Sequence, residues 1–140
     1  MRRVWFIDDR LENRDSWLKG FGSEIRTNCE LKTFEDWPGL REDLNNHDYP
    51  DVLFLDFFLP DCYGHEIIEW IDLNCPPDQR PVLVAHSSME AANIGMCENG
   101  ADCGLEKHKG ESVSSSIASH FRLVADIEYL VKNRDFRKTT

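Results

Sequence analysis

Three acids and a lysine stand where short apolar runs end. Asp56 closes the run Val52–Leu55, Asp8 and Asp9 close Val4–Ile7, and Lys107 closes a weaker run at Gly104–Glu106. A wholly apolar run of this length reads as a strand buried on both faces, and sheets of such strands place their chemistry at the carboxyl ends. Two carboxylates about 5 Å apart repel by roughly 3 kcal/mol at an effective dielectric of 20, so three cannot all stay ionised without a counter-charge. A divalent cation supplies it, and hard oxygen ligands with open water positions suit Mg²⁺. Lys107 would add a fixed positive charge and hold an anion's oxygen on Asp56, while the hydroxyl of Ser87 or the ring of His86 could bond another. A carboxylate so placed is equipped as a nucleophile toward phosphorus, forming an aspartyl-phosphate.

The elements that must position these residues follow from the pattern. Strand-like runs at Val4–Ile7, Glu30–Phe34, Val52–Leu55, Val82–Ala85 and Gly104–Glu106 alternate with helical stretches at Leu11–Phe21, Trp37–Asn46, His65–Leu73 and Ser88–Glu98. A long last helix is predicted from about Glu111 to Arg134. Alternation of this kind implies a parallel sheet covered on both faces and joined by right-handed crossovers. The predicted class is α/β: a doubly wound, flavodoxin-like (βα)5 sheet of order 2-1-3-4-5 with an extended C-terminal helix. Gly20, Gly22, Pro50, Pro76, Pro77 and Gly100 fall between the elements, as breakers should.

Composition narrows the function. The 140 residues fit one domain, 1–140, and the net charge of -10 argues against direct nucleic-acid binding or an anionic membrane surface. No apolar run is long enough to span a bilayer and no signal-peptide pattern opens the chain, so a cytoplasmic protein is expected. The five cysteines include no CxxC pair, which points to reduced, packed thiols rather than a zinc site or disulfide framework.

Asp8-Asp9 after the first strand, Asp56 with Pro60 and Gly64 after the third, and Gly100-Ala101-Asp102 ahead of Lys107 together resemble the receiver domain of two-component response regulators. The resemblance spans nearly the whole chain. It implies that Asp56 is the phosphoacceptor for a sensor histidine kinase or phosphotransfer protein. Asp9 would be a direct Mg²⁺ ligand, Asp8 one acting through water, Phe58 a backbone-carbonyl ligand, and Lys107 a phosphoryl contact. It also implies output through a downstream protein target rather than turnover of a substrate. A phosphorylation-independent receiver-like binding module is the nearest alternative. A metal-dependent phosphohydrolase is a further one, although its usual second acid is replaced by Phe58.

The chain departs from the family on the readout side. His86 stands where a threonine or serine usually reports phosphorylation, with Ser87 next; Gly104 replaces the usual aromatic; and His108 replaces the proline after Lys107. A non-proline cis bond there would cost about 2.5–4 kcal/mol, so the loop is either trans and rebuilt or strained. A ring at His86 beside a dianion would have a raised pKa. In the last helix Ile117, Phe121 and Val124 form a core stripe, and Leu123, Ile127 and Leu130 form a second. The second stripe reads equally as a homodimer face or as a helix tail folded over its own sheet edge.

Overall fold

A computed structural model describes residues 1–108 and 112–133. Five parallel strands, β1 (Arg2–Ile7), β2 (Cys29–Phe34), β3 (Val52–Leu55), β4 (Val82–Ala85) and β5 (Cys103–Gly104), form one sheet of order β2-β1-β3-β4-β5. The predicted architecture is the one observed. Within each central strand the side chains alternate between two cores. Val4, Phe6, Val52, Phe54, Val82 and Val84 face one way, while Trp5, Ile7, Leu53, Leu55, Leu83 and Ala85 face the other. Burial on both faces accounts for the uninterrupted apolar runs.

Helix α1 (Leu11–Gly20) covers the first core with Trp17, whose ring stacks on Phe6 and meets Phe54 edge-on. The second core is covered by α3 (Trp37–Asn45), α4 (Gly64–Asn74) and α5 (Glu90–Glu98) through Leu40, Leu44, Ile67, Ile68, Ile71 and Met96. α3 begins where its apolar period begins because Asp36 caps it, accepting from the Gly39 N–H at 2.9 Å. Gly64 opens α4 against the end of β3: a Cβ there would lie 2.6 Å from the Asp56 carbonyl oxygen and 2.6 Å from Met96 Sδ.

Several boundaries differ from expectation. Leu11–Phe21 is followed by a second short helix, α2 (Ser23–Asn28), and β5 sits at Cys103–Gly104 rather than Gly104–Glu106. The extended chain still follows β4 past β5, since the Leu105 N–H donates to Ala85 O at 2.8 Å and the Lys107 N–H to Ser87 O at 3.0 Å.

The long last helix divides into α6 (Val113–Ala118) and α7 (Val124–Asn133); Glu111 and Arg134, its expected ends, lie outside the described residues. The break is made by polar side chains. Asp126 reaches back to accept from the Arg122 and Leu123 N–H groups at 2.9 and 3.0 Å, and Glu24 accepts from Val124 N–H at 2.9 Å. Gly22 donates to Phe121 O at 3.1 Å, and a Cβ on Gly22 would lie 2.1 Å from Arg122 O, so only glycine allows this close approach.

Through this turn α7 folds back on α2. Ile127 is fully buried and Leu130 packs against the first core, which is the arrangement of a helix tail folded over its own domain. Arg2 fastens it, donating to Glu128 at 2.7 and 3.1 Å and to Asp51 at 3.0 Å. Of the second stripe, Leu123 remains exposed.

Candidate functional site

Asp8, Asp9 and Asp56 leave adjacent strands, and their carboxylate oxygens come within 4.8 Å of one another. Register fixes this meeting. Ile7 pairs with Leu55 and the Asp56 N–H donates to Ile7 O, so the residues after both strands emerge side by side. Asp8 is fully buried and Asp56 is 5% exposed, whereas Asp9 lies at the open rim.

Lys107, itself 5% exposed, reaches both buried acids: its Nζ lies 2.8 Å from Asp8 Oδ2 and 2.9 Å from Asp56 Oδ1. One ammonium among three carboxylates leaves the crevice short of positive charge. The nearby arginines do not supply it, because Arg10 pairs with exposed Glu12 and Arg14 donates to the Asp8 backbone carbonyl. Burial pushes the Asp56 carboxyl up to about 6, with Lys107 pulling it down and Asp8 pushing it further up. The chemistry of this donor set, hard oxygens short of counter-charge and open at Asp9, fits Mg²⁺.

Asp8 is held in place by neighbours. Asn13, a buried amide one turn into α1, donates to Asp8 Oδ1 and Oδ2 at 3.3 and 3.2 Å, and the Arg10 N–H donates to Oδ1 at 2.9 Å. On Asp56 both hydrogen bonds fall on one oxygen: Lys107 and the Phe57 N–H, at 2.9 Å, donate to Oδ1. Among the described residues Oδ2 receives none, so it is the oxygen left for an incoming group.

The readout residues separate. Ser87 is buried beside Lys107, its carbonyl accepting the Lys107 N–H and its Oγ accepting from Met89 N–H at 3.2 Å. Asn93 on α5 clamps its backbone, accepting from the Ser87 N–H at 2.7 Å and donating to Ser87 O at 2.9 Å.

His86 turns away into the first core. Its ring meets Phe6 and Phe54 edge-on, each at 5.4 Å, and Nδ1 donates to Leu105 O at 2.8 Å. Burial pulls its pKa down to about 4. The ring makes no hydrogen bond to Asp8, Asp56 or Lys107, and Nε2 is buried without a partner among the described residues.

The peptide between Lys107 and His108 is trans, so this loop is the rebuilt rather than the strained form. Phe58, half exposed, forms an isolated bridge with Tyr63 at the mouth of the crevice, where Phe57, Tyr63 and His65 stack. Asp102 of the Gly100-Ala101-Asp102 motif is structural: it accepts from the Leu83 N–H and from Arg80.

This sheet order with an acidic crevice at the carboxyl ends of β1 and β3 is the architecture of response-regulator receiver domains, and the chain has that fold. It is similar to the response regulator domain of CheB from Thermotoga maritima, with 22% identity, a TM-score of 0.71, and coverage of 94% of this chain and 97% of that one. The beryllofluoride-activated NtrC4 receiver domain dimer matches with 20% identity, a TM-score of 0.70, and coverage of 96% and 99%. A response regulator receiver domain from Rhodospirillum rubrum matches with 21% identity, a TM-score of 0.67, and coverage of 92% and 94%. No family model and no curated protein matches the sequence. Among the described residues no helix is long and apolar enough to cross a membrane.

Proposed function

We propose that this chain is a phosphoacceptor receiver. It takes a phosphoryl group from the phosphohistidine of a sensor histidine kinase or phosphotransfer protein onto Asp56, and it signals through contacts with a downstream protein in the cytoplasm. The supporting observation is the pair of buried acids, Asp8 and Asp56, bridged by buried Lys107 with Asp9 open beside them.

Asp9, Asp56 and the Phe58 carbonyl would hold Mg²⁺ directly, with Asp8 acting through water. When bound, the ion neutralises charge on the phosphoryl oxygens. Asp56 Oδ2 attacks phosphorus, the P–N bond breaks, and the imidazole nitrogen leaves with the electron pair and takes a proton from solvent. Phe57 N–H and Lys107 hold Oδ1 and orient the carboxylate; Lys107 then donates to a phosphoryl oxygen. Ser87, in preference to the ring of His86, would donate its hydroxyl to another. The product adds about 1.5 to 2 negative charges and three strong acceptors, enough to reorder the loops around Ser87 and Lys107.

A phosphorylation-independent binding module is the second reading. It is favoured by the bare backbone at Gly104 and by His86 held in the core. A homodimer through the last helix would have to form on exposed Leu123 and Tyr129.

Beryllofluoride with Mg²⁺ separates the two readings. A phosphoacceptor gives slowly exchanging bound fluorine resonances that require Mg²⁺ and vanish in Asp56→Asn. A chain showing only free beryllofluoride under both conditions is not a phosphoacceptor.

A further inference from the structure

We infer that Asn13 sets which divalent cation the crevice accepts: its side-chain amide holds Asp8 out of the ion's inner shell and so favours Mg²⁺ over Ca²⁺. This rests on the receiver reading only in taking Mg²⁺ as the resident ion; the bonding around Asp8 stands on its own.

Asn13 occupies a position that packing alone would give to an apolar side chain. The buried residues of α1 are Asn13, Trp17 and Gly20, a stripe at helical spacing, and Trp17 carries it into the first core. Burying an amide costs free energy unless it is hydrogen-bonded, so its partner identifies its use. That partner is Asp8: the Asn13 Nδ2 reaches both carboxylate oxygens, at 3.3 Å for Oδ1 and 3.2 Å for Oδ2.

A carboxylate offers about four lone-pair positions. On Asp8 they are filled from within the protein. Oδ1 accepts from the Arg10 N–H at 2.9 Å and from Asn13, and Oδ2 accepts from Lys107 at 2.8 Å and from Asn13. Asp8 is also fully buried. By contrast, Asp9 is exposed at the rim and Asp56 Oδ2 accepts nothing among the described residues, so these are the oxygens free to meet a cation.

This division suits one ion better than the other. Mg²⁺ keeps several waters and uses roughly one or two carboxylates, whereas Ca²⁺ takes about six to eight oxygens in a flexible shell. Asp8 is the remaining carboxylate of the cluster, and it can join the shell only by giving up Asn13. The amide therefore penalises Ca²⁺ selectively. It acts through Asp8, which makes Asn13 a positioning residue and not a ligand.

Asn13→Leu, which keeps a similar outline and removes the donor, tests the assignment. MgCl₂ and CaCl₂ are titrated separately into parent and variant by calorimetry. The preference for Mg²⁺, taken as the ratio of the two dissociation constants, should fall at least about tenfold in the variant, the usual scale for losing a residue that orients a metal ligand. A folded variant with an unchanged ratio overturns the proposal. That includes a parallel weakening of both ions, which is what a purely structural amide would give.

A second measurement needs no substitution. In the ¹⁵N-labelled parent chain, the Asn13 side-chain amide signals should move much further with saturating CaCl₂ than with saturating MgCl₂, because only Ca²⁺ draws Asp8 away from them. Equal displacement by both ions also overturns the proposal. Neither titration contains a phosphodonor, so the two readings fail separately. A chain that shows the selectivity but takes no phosphoryl group keeps this assignment and loses the phosphoacceptor role, and one labelled on Asp56 with an unchanged ratio does the opposite.

Discussion

Asp56→Asn is expected to unfold at higher urea than the parent chain at about pH 8 without divalent cations, by up to about 3 kcal/mol. The folded-state pKa of Asp56 is raised from 3.8 to about 6, chiefly by burial. An acid with a raised folded-state pKa holds its proton more tightly folded than unfolded. Its contribution is therefore most favourable below about pH 4, is lost as pH rises through about 6, and stays lost above. Asparagine keeps the acceptor for Lys107 and Phe57 while removing the charge, so the variant and parent should converge toward about pH 4 and diverge above it. Mg²⁺ should raise the parent's stability by mass action and the variant's much less. Paired urea titrations across this range check it; a variant less stable than the parent at about pH 8 contradicts the account.

Lys107→Ala is expected to move stability the other way. It leaves Asp8 and Asp56 buried without their ammonium, and removing one partner of a buried charge cluster costs about 3–5 kcal/mol. The loss should shrink at about pH 5, where Asp56 takes up a proton, and shrink again with Mg²⁺. Phosphorylation should slow on the order of 10²-fold, the usual effect of losing a charge-stabilising donor at a reacting centre. Both substitutions thus oppose phosphoryl transfer while shifting stability in opposite directions. A purely structural ion-pair network predicts loss of stability from both.

The acids were legible because each follows an unmistakable apolar strand, Lys107 less so because its run is weak, and the register of β1 on β3 and of β5 on β4 then brings them together. Asn13 and Asn93 were not. A polar residue within a helix carries no local signal when its partners are a carboxylate on β1 or the backbone of Ser87. Family position left His86 and Ser87 as alternatives, whereas period-two alternation continues Val82 and Val84 through His86 toward Phe6 and Phe54.

The last helix was read as continuous for a related reason. Its apolar spacing does continue from α6 into α7, and the interruption comes from Asp126, Glu24 and Gly22, two of them about a hundred residues away. α2 escaped notice with it, since part of the surface that short helix packs on is the returning α7.

The central claim is that Asp56 carries the phosphoryl group. Incubating the chain with phosphoramidate or acetyl phosphate and Mg²⁺, then mapping any mass increase by peptide, tests it most directly. One phosphoryl group on the peptide containing Asp56, dependent on Mg²⁺ and absent from Asp56→Asn, is the predicted result. An unmodified chain, or the same label on the Asp56→Asn protein, contradicts it.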